Sequence, residues 1–351
     1  MKNPRMNRAL IIGAVLLIAG IGIAIYGYFT NRVSIPDADV LDLNLNGRLI
    51  LAHGMGGVTS LDLSTAESQA LFTAPDTGIV TAASLSPDGS TLILAYAPPP
   101  TGLIQFGYTD LYSIPTDGSE APQLLVDAQD QDVLYSPTWS PDGKTVYYVR
   151  SHIPEGALTA QLSIEYLTYP DGQPKTLLED SSSPDLSPDG TKLAYTGRPS
   201  NSNFDSLYVS NLDGQRAQTL AGSERFLALD RPSFSPDGKT VAFSGDPKPF
   251  IAAIPADKQK FAFDWSDLLL GTHVAHAHDV GNSSVWILPV SGGTPQLIAK
   301  LQTQGLILDY SPDGQHIAFI DPNGLFVMNA DGTHLVRISN LADLRSIQWV
   351  P

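Results

Sequence analysis

Three of the chain's seven histidines lie within one short stretch, THVAHAHDVG, which could bind a metal ion. His273, His276 and His278 are followed directly by Asp279, and imidazole nitrogens with a carboxylate suit zinc or another transition metal. Because side chains on a strand alternate between its two faces, His276 and His278 would face the same side. The stretch is not the His-Glu-x-x-His motif of zinc proteases, and it has no partnering glutamate. Two interpretations stay open: a divalent-metal site, with that metal as the chain's cofactor, and an ordinary polar loop.

An apolar stretch, KFAFDWSDLLLG, directly precedes the histidines and could bind a partner. Large aromatic and aliphatic side chains at a surface are typical anchors of protein interfaces and of contacts with a membrane surface. The same side chains could instead pack onto the domain from which the stretch emerges, because large exposed apolar patches are rare. Both interpretations stay open for five candidate binding residues: Phe261, Phe263, Trp265, Leu268 and Leu269.

Other kinds of functional site are poorly supported by the sequence. The chain has no cysteine, which excludes disulfides, cysteine nucleophiles and thiolate metal sites. No serine is paired with a histidine and an aspartate at an informative spacing, and no Gly-x-Ser-x-Gly is present. The glycines of Gly54–Gly57 stand between predicted strands, so they indicate a turn and not a phosphate-binding loop. A net charge of −16 repels phosphate backbones and argues against nucleic acid as a partner.

The N-terminal stretch predicts a membrane anchor. Ala9–Phe29 contains 21 residues without a charge, enough for a helix that crosses the hydrocarbon core of a bilayer. Lys2, Arg5 and Arg8 precede it, so the positive-inside rule leaves residues 1–8 in the cytoplasm and the rest of the chain outside. The alternative is a cleaved signal peptide, whose apolar region is shorter and ends in a small-residue site. We therefore expect a single-pass protein of the cell membrane, with residues 9–29 as an uncleaved signal anchor and residues 30–39 as a linker.

A repeated tetrapeptide indicates which elements position the candidate residues. Ser-Pro-Asp-Gly occurs five times, with starts separated by 54, 47, 48 and 76 residues, and internal repeats of this period are typical of arrays of similar structural units. Proline, aspartate and glycine in this order suit a type I turn followed by a left-handed residue. The repeat therefore predicts five copies of a structural turn rather than five binding sites. The copies are Ser86–Gly89, Ser140–Gly143, Ser187–Gly190, Ser235–Gly238 and Ser311–Gly314.

Short strand patterns surround every copy of the tetrapeptide. Stretches such as KTVAFSG follow it directly, and each is rich in β-branched and aromatic residues. A second pattern follows, in which a strand, a glycine-bearing turn and another strand predict a hairpin, as in LYVSNLDGQRAQTL. A degenerate unit, Asn46–Phe72, precedes the first copy. Six units of about four strands predict an all-β chain: a six-bladed β-propeller over residues 40–351, with a long insertion at 246–283.

A propeller ring must be closed, and two segments could supply the innermost strand of the first unit. One is Arg345–Pro351, RSIQWVP, which resembles the strand that precedes each Ser-Pro-Asp-Gly. The other is Val40–Leu45. Closure removes the sheet edges that would otherwise aggregate, but the sequence alone leaves the choice between the two segments open.

The repeats WSPDGKTVYYV and FSPDGKTVAFS, each followed by an Asp-Gly hairpin, resemble those of the TolB-type β-propellers. The resemblance covers Val40 to Pro351. The chain also resembles the propeller half of prolyl-oligopeptidase-type proteins. It implies a six-bladed ring and, by analogy with family members, a role in protein binding at the cell envelope.

The order of strands in a blade predicts where a partner binds. The Ser-Pro-Asp-Gly turns and the hairpin turns lie at one end of the ring, and the longer, variable connections lie at the other, where binding loops usually sit. We therefore expect a membrane-anchored extracytoplasmic propeller that serves as a protein-binding scaffold or accessory subunit of an envelope or membrane complex. The alternative is a carbohydrate-active or metal-dependent enzyme that uses the histidine stretch. The longer connections are Ala97–Thr109, Ser151–Leu162, Arg198–Asp205 and Asp246–Ser283.

Overall fold

Six four-stranded antiparallel sheets are arranged as the blades of a propeller, as predicted. The computed structural model describes residues 35–99, 108–128, 132–157, 159–248, 283–303, 305–341 and 343–351. Among these residues no helix is long and apolar enough to span a bilayer, and the predicted anchor Ala9–Phe29 lies outside them.

Blades 1 to 3 follow one another along the chain, and only blade 1 takes a strand from elsewhere. Their strands, from the innermost outward, are as follows. Blade 1 contains β24 (Leu344–Val350), β1 (Arg48–His53), β2 (Gly57–Asp62) and β3 (Ser68–Phe72); blade 2 contains β4 (Ile79–Leu85), β5 (Thr91–Ala97), β6 (Asp110–Pro115) and β7 (Gln123–Val126); blade 3 contains β8 (Val133–Trp139), β9 (Thr145–His152), β10 (Gln161–Thr168) and β11 (Lys175–Glu179).

Blades 4 to 6 have the same order, each built from four consecutive strands. Blade 4 contains β12 (Ser181–Leu186), β13 (Lys192–Gly197), β14 (Ser206–Asn211) and β15 (Gln218–Ala221); blade 5 contains β16 (Phe226–Phe234), β17 (Thr240–Pro247), β18 (Ser283–Pro289) and β19 (Gln296–Thr303); blade 6 contains β20 (Ile307–Tyr310), β21 (His316–Asp321), β22 (Gly324–Asn329) and β23 (Val336–Ser339).

The core of the protein lies between neighbouring blades, so the middle strands bury both of their faces. β5 is buried at six of its seven positions, which explains why its sequence is a continuous apolar run rather than an alternating one. One apolar cluster joins Ile50 and Val58 of blade 1 to Leu92 and Leu94 of blade 2. Each large side chain buried in this way contributes about 1.5–3 kcal/mol.

Each Ser-Pro-Asp-Gly is a tight turn between the first and second strands of a blade. In the first copy the Ser86 hydroxyl donates to Asp88 Oδ1 at 2.6 Å and accepts from the Thr91 amide at 3.0 Å. The Gly89 amide donates to the Ser86 carbonyl at 2.9 Å, and its φ of +73° is one that glycine adopts without strain. The side-chain and backbone bonds recur in the other four copies. The prediction of a repeated structural turn is therefore confirmed.

The ring is closed by the C-terminal strand. β24 pairs antiparallel with β1, with Leu49 opposite Trp349 and Leu51 opposite Ile347. The competing segment instead forms a short 3-10 helix, Val40–Leu43, whose first turn is capped by a hydrogen bond from the Leu41 amide to Asp39 Oδ1 at 3.0 Å. The choice that the sequence left open is thus settled by strand pairing.

The chain enters the propeller along its outer edge. Asp37 forms a parallel bridge with Arg337 of β23, the outermost strand of blade 6. The Arg337 guanidinium donates to both carboxylate oxygens of Asp37, at 2.6 and 3.1 Å. The backbone of residues 36–38 thereby covers part of a sheet edge that would otherwise be open.

The strand order defines two ends of the ring. The turn end carries the Ser-Pro-Asp-Gly turns and the hairpin turns between the third and fourth strands. The loop end carries the connections from the second to the third strand of each blade and from each blade to the next. The connections from the second to the third strand are residues 54–56, 98–109, 153–160, 198–205, 248–282 and 322–323.

Candidate functional site

A cavity of about 760 Å3 occupies the centre of the ring, and it is lined by the six innermost strands. Its lining extends from those strands to the turn end, where one proline from each blade contributes to the wall. Five of these prolines belong to the Ser-Pro-Asp-Gly turns, and the sixth follows β24 at the equivalent position of blade 1. They are Pro87, Pro141, Pro188, Pro236, Pro312 and Pro351.

In three of the six blades, one position of the innermost strand links the blade to the next blade. It lies two residues before the serine of the turn, and its side chain accepts a hydrogen bond from a backbone amide of the neighbouring innermost strand. Asp185, Asp309 and Gln348 all do so, each at 2.7 Å. The donors are the amides of Phe234, Trp349 and Leu85, respectively.

Two of these linking residues are carboxylic acids in a poorly solvated position. Burial raises the pKa of Asp185 to about 8, and the charge of Asp309 adds to the increase. Burial also raises the pKa of Asp309 to about 6, against the opposing effect of hydrogen bonds from the Trp349 amide and the Ser233 hydroxyl. Both carboxyls keep some accessible surface because they face the cavity. The wall therefore holds acids that take up protons near neutral pH.

A second polar layer of the cavity is built on irregular backbone. Ser136, Ser183 and Arg231 have φ values of +50°, +52° and +53°, and each directly precedes a proline. The pairing of the innermost strand with its neighbour shifts at each of these three positions, as at β-bulges that redirect side chains. Arg231 Nη1 donates to Ser136 Oγ at 2.8 Å, and its Nε lies 3.4 Å from Asp230 Oδ2. Ser183 donates its hydroxyl to the other oxygen of Asp230.

A charged network lies near the loop end of blade 3. Arg150 contacts Asp132 at 2.9 Å and Glu165 at 3.0 Å, and the Tyr148 hydroxyl donates to Glu165 at 2.7 Å. His152 Nδ1 lies 2.6 Å from Asp132 Oδ1. Burial raises the pKa of Tyr148, and its hydrogen bond to Glu165 adds to this effect. The network ties β9 and β10 to Asp132, the residue just before β8.

Three of the exposed large apolar side chains lie in connections of the loop end. Met55 is 72% exposed, Ile153 50% and Leu341 47%. Met55 and Leu341 flank a shared anchor, since the Met55 and Gly54 amides donate to Asp343 at 3.2 and 3.0 Å. The exposed pair therefore stands on a backbone held in place by hydrogen bonds.

The site residues predicted from the sequence all lie outside the described residues. Each of them therefore stays a prediction. Within the described ranges, no group of three or more histidine, aspartate or glutamate side chains could hold a metal ion. The undescribed candidates are Phe261, Phe263, Trp265, Leu268, Leu269, His273, His276, His278 and Asp279.

The sequence reasoning missed the cavity acids, although a signal for them exists. The position two residues before the turn serine holds Ser84 in blade 2, Thr138 in blade 3 and Ser233 in blade 5, but aspartate in blades 4 and 6. Aligning the five turn copies would have exposed Asp185 and Asp309 as departures from a small hydroxyl residue.

Comparison with known proteins identifies the fold but no family. No model of a known protein family matches the chain, and no curated protein sequence matches it. Solved structures do resemble it. A protein assigned as a TolB from Agrobacterium tumefaciens is 17% identical with a TM-score of 0.56, and the match covers 87% of this chain and 99% of that one.

Two further solved structures show the same architecture. A chain of a nidogen–laminin complex is 14% identical with a TM-score of 0.57, and the match covers 86% of this chain and 97% of that one. An oligogalacturonate lyase in complex with manganese is 14% identical with a TM-score of 0.51, and the match covers 81% of this chain and 70% of that one. At these identities the likeness concerns the fold alone. At that level, the resemblance to TolB-type propellers is confirmed.

Proposed function

We propose that this chain is a protein-binding propeller, held at the outer face of a cell membrane, that serves as a scaffold or accessory subunit of an envelope complex. The TolB-type fold supports the binding role. So does the solved neighbour from a nidogen–laminin complex, whose name describes an assembly of proteins. Because one fold hosts many functions, the binding role of this chain must come from its own surface.

The observation that carries the proposal is the exposed apolar trio of the loop end. Met55, Ile153 and Leu341 protrude from connections at one end of a closed, rigid ring. Apolar side chains held on an ordered backbone lose little conformational entropy when a partner covers them. The longest connection, residues 248–282, leaves and re-enters the ring at this same end and carries the apolar stretch with Phe261 and Trp265.

The membrane anchor rests on the sequence. Ala9–Phe29 has the length and composition of a spanning helix, and the basic residues before it orient the propeller outward. A fractionation of cells that places the full-length chain in the soluble fraction would refute this part.

Site-specific photo-crosslinking tests the docking end. A photoreactive amino acid is placed at Met55, Ile153 or Leu341 of the full-length chain, and cells are irradiated before extraction in detergent. Matched controls carry the same residue at Leu124 and Leu297, which are also exposed but lie on the outermost strands β7 and β19.

We expect a discrete adduct from the loop-end positions and none from the controls. The double substitution Met55→Asp and Leu341→Asp should then abolish co-purification of the crosslinked partner, because a charge at a buried contact is costly. Equal adducts at all five positions, or unchanged co-purification by the double variant, would contradict docking at this end.

The alternative function is that of a metal-dependent or carbohydrate-active enzyme. It is favoured by the fold shared with a lyase solved with manganese and by the histidine stretch ending at Asp279. Elemental analysis of the purified full-length chain tests it. Stoichiometric metal that is lost in a His276→Ala and His278→Ala double variant would support the enzyme, and metal-free protein would count against it.

A further inference from the structure

The central cavity has the size and chemistry of a ligand site, and its two halves differ in charge. Its volume of about 760 Å3 falls within the usual range for small-molecule sites, about 300–1,000 Å3. Blades 4 and 6 contribute Asp185 and Asp309, whereas blade 1 contributes the neutral Gln348 at the equivalent position. Arg231 already contacts Asp230, so it does not neutralise the wall. The other charged residues of the lining are Arg48 and Asp88.

A neutral side chain can also form the hydrogen bond between blades that these two acids form. Both accept a backbone amide from the next blade, and Gln348 performs this task at the same distance of 2.7 Å with a neutral amide oxygen. Asp309 also accepts the Ser233 hydroxyl of blade 5 with its other oxygen at 2.9 Å. A neutral acceptor would avoid the cost of burying a carboxylate. The choice of aspartate at Asp185 therefore has a reason other than linking the blades.

A cation bound in the cavity would supply such a reason. Neither acid has an ion pair within 4.0 Å among the described residues, although other acids of the chain do. Burial destabilises the charged form of both Asp185 and Asp309. A positive group entering the cavity would be attracted by both carboxyls in surroundings that screen charge poorly.

The wall at the turn end indicates which kind of cation fits. One proline from each of the six blades lines that part of the cavity, so aliphatic ring carbons face it there beside the charged side chains of Arg48 and Asp88. An alkyl chain can contact these rings while its terminal charge reaches the carboxyls, as the stems of long basic side chains do at apolar surfaces.

A bare metal ion fits less well than an organic cation. Among the described residues no three carboxylates or histidines converge as a metal requires. Asp185 and Asp309 also stand on blades 4 and 6, with blade 5 between them, and both already accept backbone hydrogen bonds.

We propose that the central cavity binds an alkylammonium group, with Asp185 and Asp309 in their deprotonated forms as its anionic partners and the proline-lined end holding the alkyl chain. The group belongs to a free amine or to the lysine side chain of a polypeptide. This inference does not rest on docking at the loop end, because it concerns the cavity and the turn end.

Calorimetric titration of the full-length chain above pH 8, where both carboxyls are ionised, tests the proposal. The probes are 1,4-diaminobutane, its neutral analogue 1,4-butanediol, and a glycine–serine peptide with one central lysine. Fluorescence of Trp139 and Trp349, which line the cavity, reports whether binding occurs there. The variants Asp185→Asn and Asp309→Asn keep an oxygen that accepts the backbone amide, and Glu120→Gln removes one exposed charge elsewhere as a matched control.

We expect the diamine to bind and the diol not to bind. Each asparagine variant should weaken diamine binding about tenfold, Glu120→Gln should leave it unchanged, and Gln348→Glu should strengthen it by adding a third acid. Binding of the diamine but not the peptide would assign the site to free amines. Binding of the peptide would assign it to a lysine side chain.

Three results would overturn the proposal: no binding of either amine probe, equal diamine affinity in the wild type and both asparagine variants, or displacement of the diamine by equimolar calcium or magnesium. If the asparagine variants fail to fold, Gln348→Glu decides alone, and an unchanged affinity in that variant rejects the site.

Discussion

Replacing Asp185 with asparagine should make the stability of the protein less sensitive to pH between 5 and 8. Folding raises the pKa of this carboxyl to about 8, mainly by burial, so the native state keeps a proton that the unfolded chain releases from about pH 4. The free energy of unfolding of the wild type therefore falls as the pH rises through this window. Asparagine preserves the acceptor for the Phe234 amide and removes the titration.

The size of the effect follows from the pKa. Each unit is worth about 1.4 kcal/mol, so the interval from pH 5 to pH 8 has a ceiling of about 4 kcal/mol. Because Asp185 faces a solvent-accessible cavity, screening reduces this, and we expect about 2 kcal/mol. When Asp185→Asn is made in a chain that already carries Asp309→Asn, this pH-dependent difference in stability should be smaller, since the charge of Asp309 contributes to the raised pKa of Asp185.

Urea denaturation of the wild type and Asp185→Asn at pH 5, 6, 7 and 8 measures this difference, with Glu120→Gln as the charge-matched control. Subtracting the two curves cancels titrations that both proteins share, such as those of the histidines. The stability advantage of the variant should grow steadily with pH. Parallel profiles of the wild type and the variant would refute the proposed burial of the carboxyl.

Three further predictions concern the fold and are measured by urea denaturation at pH 7. Gly89→Ala should lower the free energy of unfolding by about 1 kcal/mol, because the φ of +73° disfavours a side chain. Nothing lies within 4 Å of the new Cβ, so no clash adds to this cost. An unchanged stability would mean that the turn relaxes. Trp349→Ala should cost about 3–5 kcal/mol, since this side chain is buried in the closing strand, and a loss below about 1 kcal/mol would count against closure by β24. Arg150→Ala should lower the free energy of unfolding by about 3 kcal/mol, because it leaves Asp132 and Glu165 without their cation. Adding Glu165→Gln should recover part of this loss. If nothing is recovered, the unpaired charge is not the cause.

The features that the sequence predicted well are local ones. A turn such as Ser86–Gly89 is defined by bonds among residues within five positions of one another, so its residue types alone indicate its geometry. The hairpins and the number of blades follow from the same short-range patterns. The assignment of the two ends follows in turn, because antiparallel strands place alternate connections at opposite ends.

The features that the sequence left open depend on contacts between distant residues. Both Val40–Leu45 and Arg345–Pro351 had the composition of a closing strand, and pairing across the whole chain length decided between them. The raised pKa of Asp185 is likewise a property of its burial and of a neighbour on another blade. The histidine and aromatic candidates of residues 261–279 remain predictions from the sequence.

The Ser-Pro-Asp-Gly turns also lie next to one another around the ring. A Cβ at Gly143, Gly190, Gly238 or Gly314 would lie 3.4–3.9 Å from the turn proline of the preceding blade. Between blades 2 and 6, the gap between neighbouring turns thus has room for about one methyl group at each glycine. Gly89 of blade 2 has no such neighbour within 4 Å, although Pro351 stands at the equivalent position of blade 1. Any widening of the cavity at this end would therefore hinge at the closing blade.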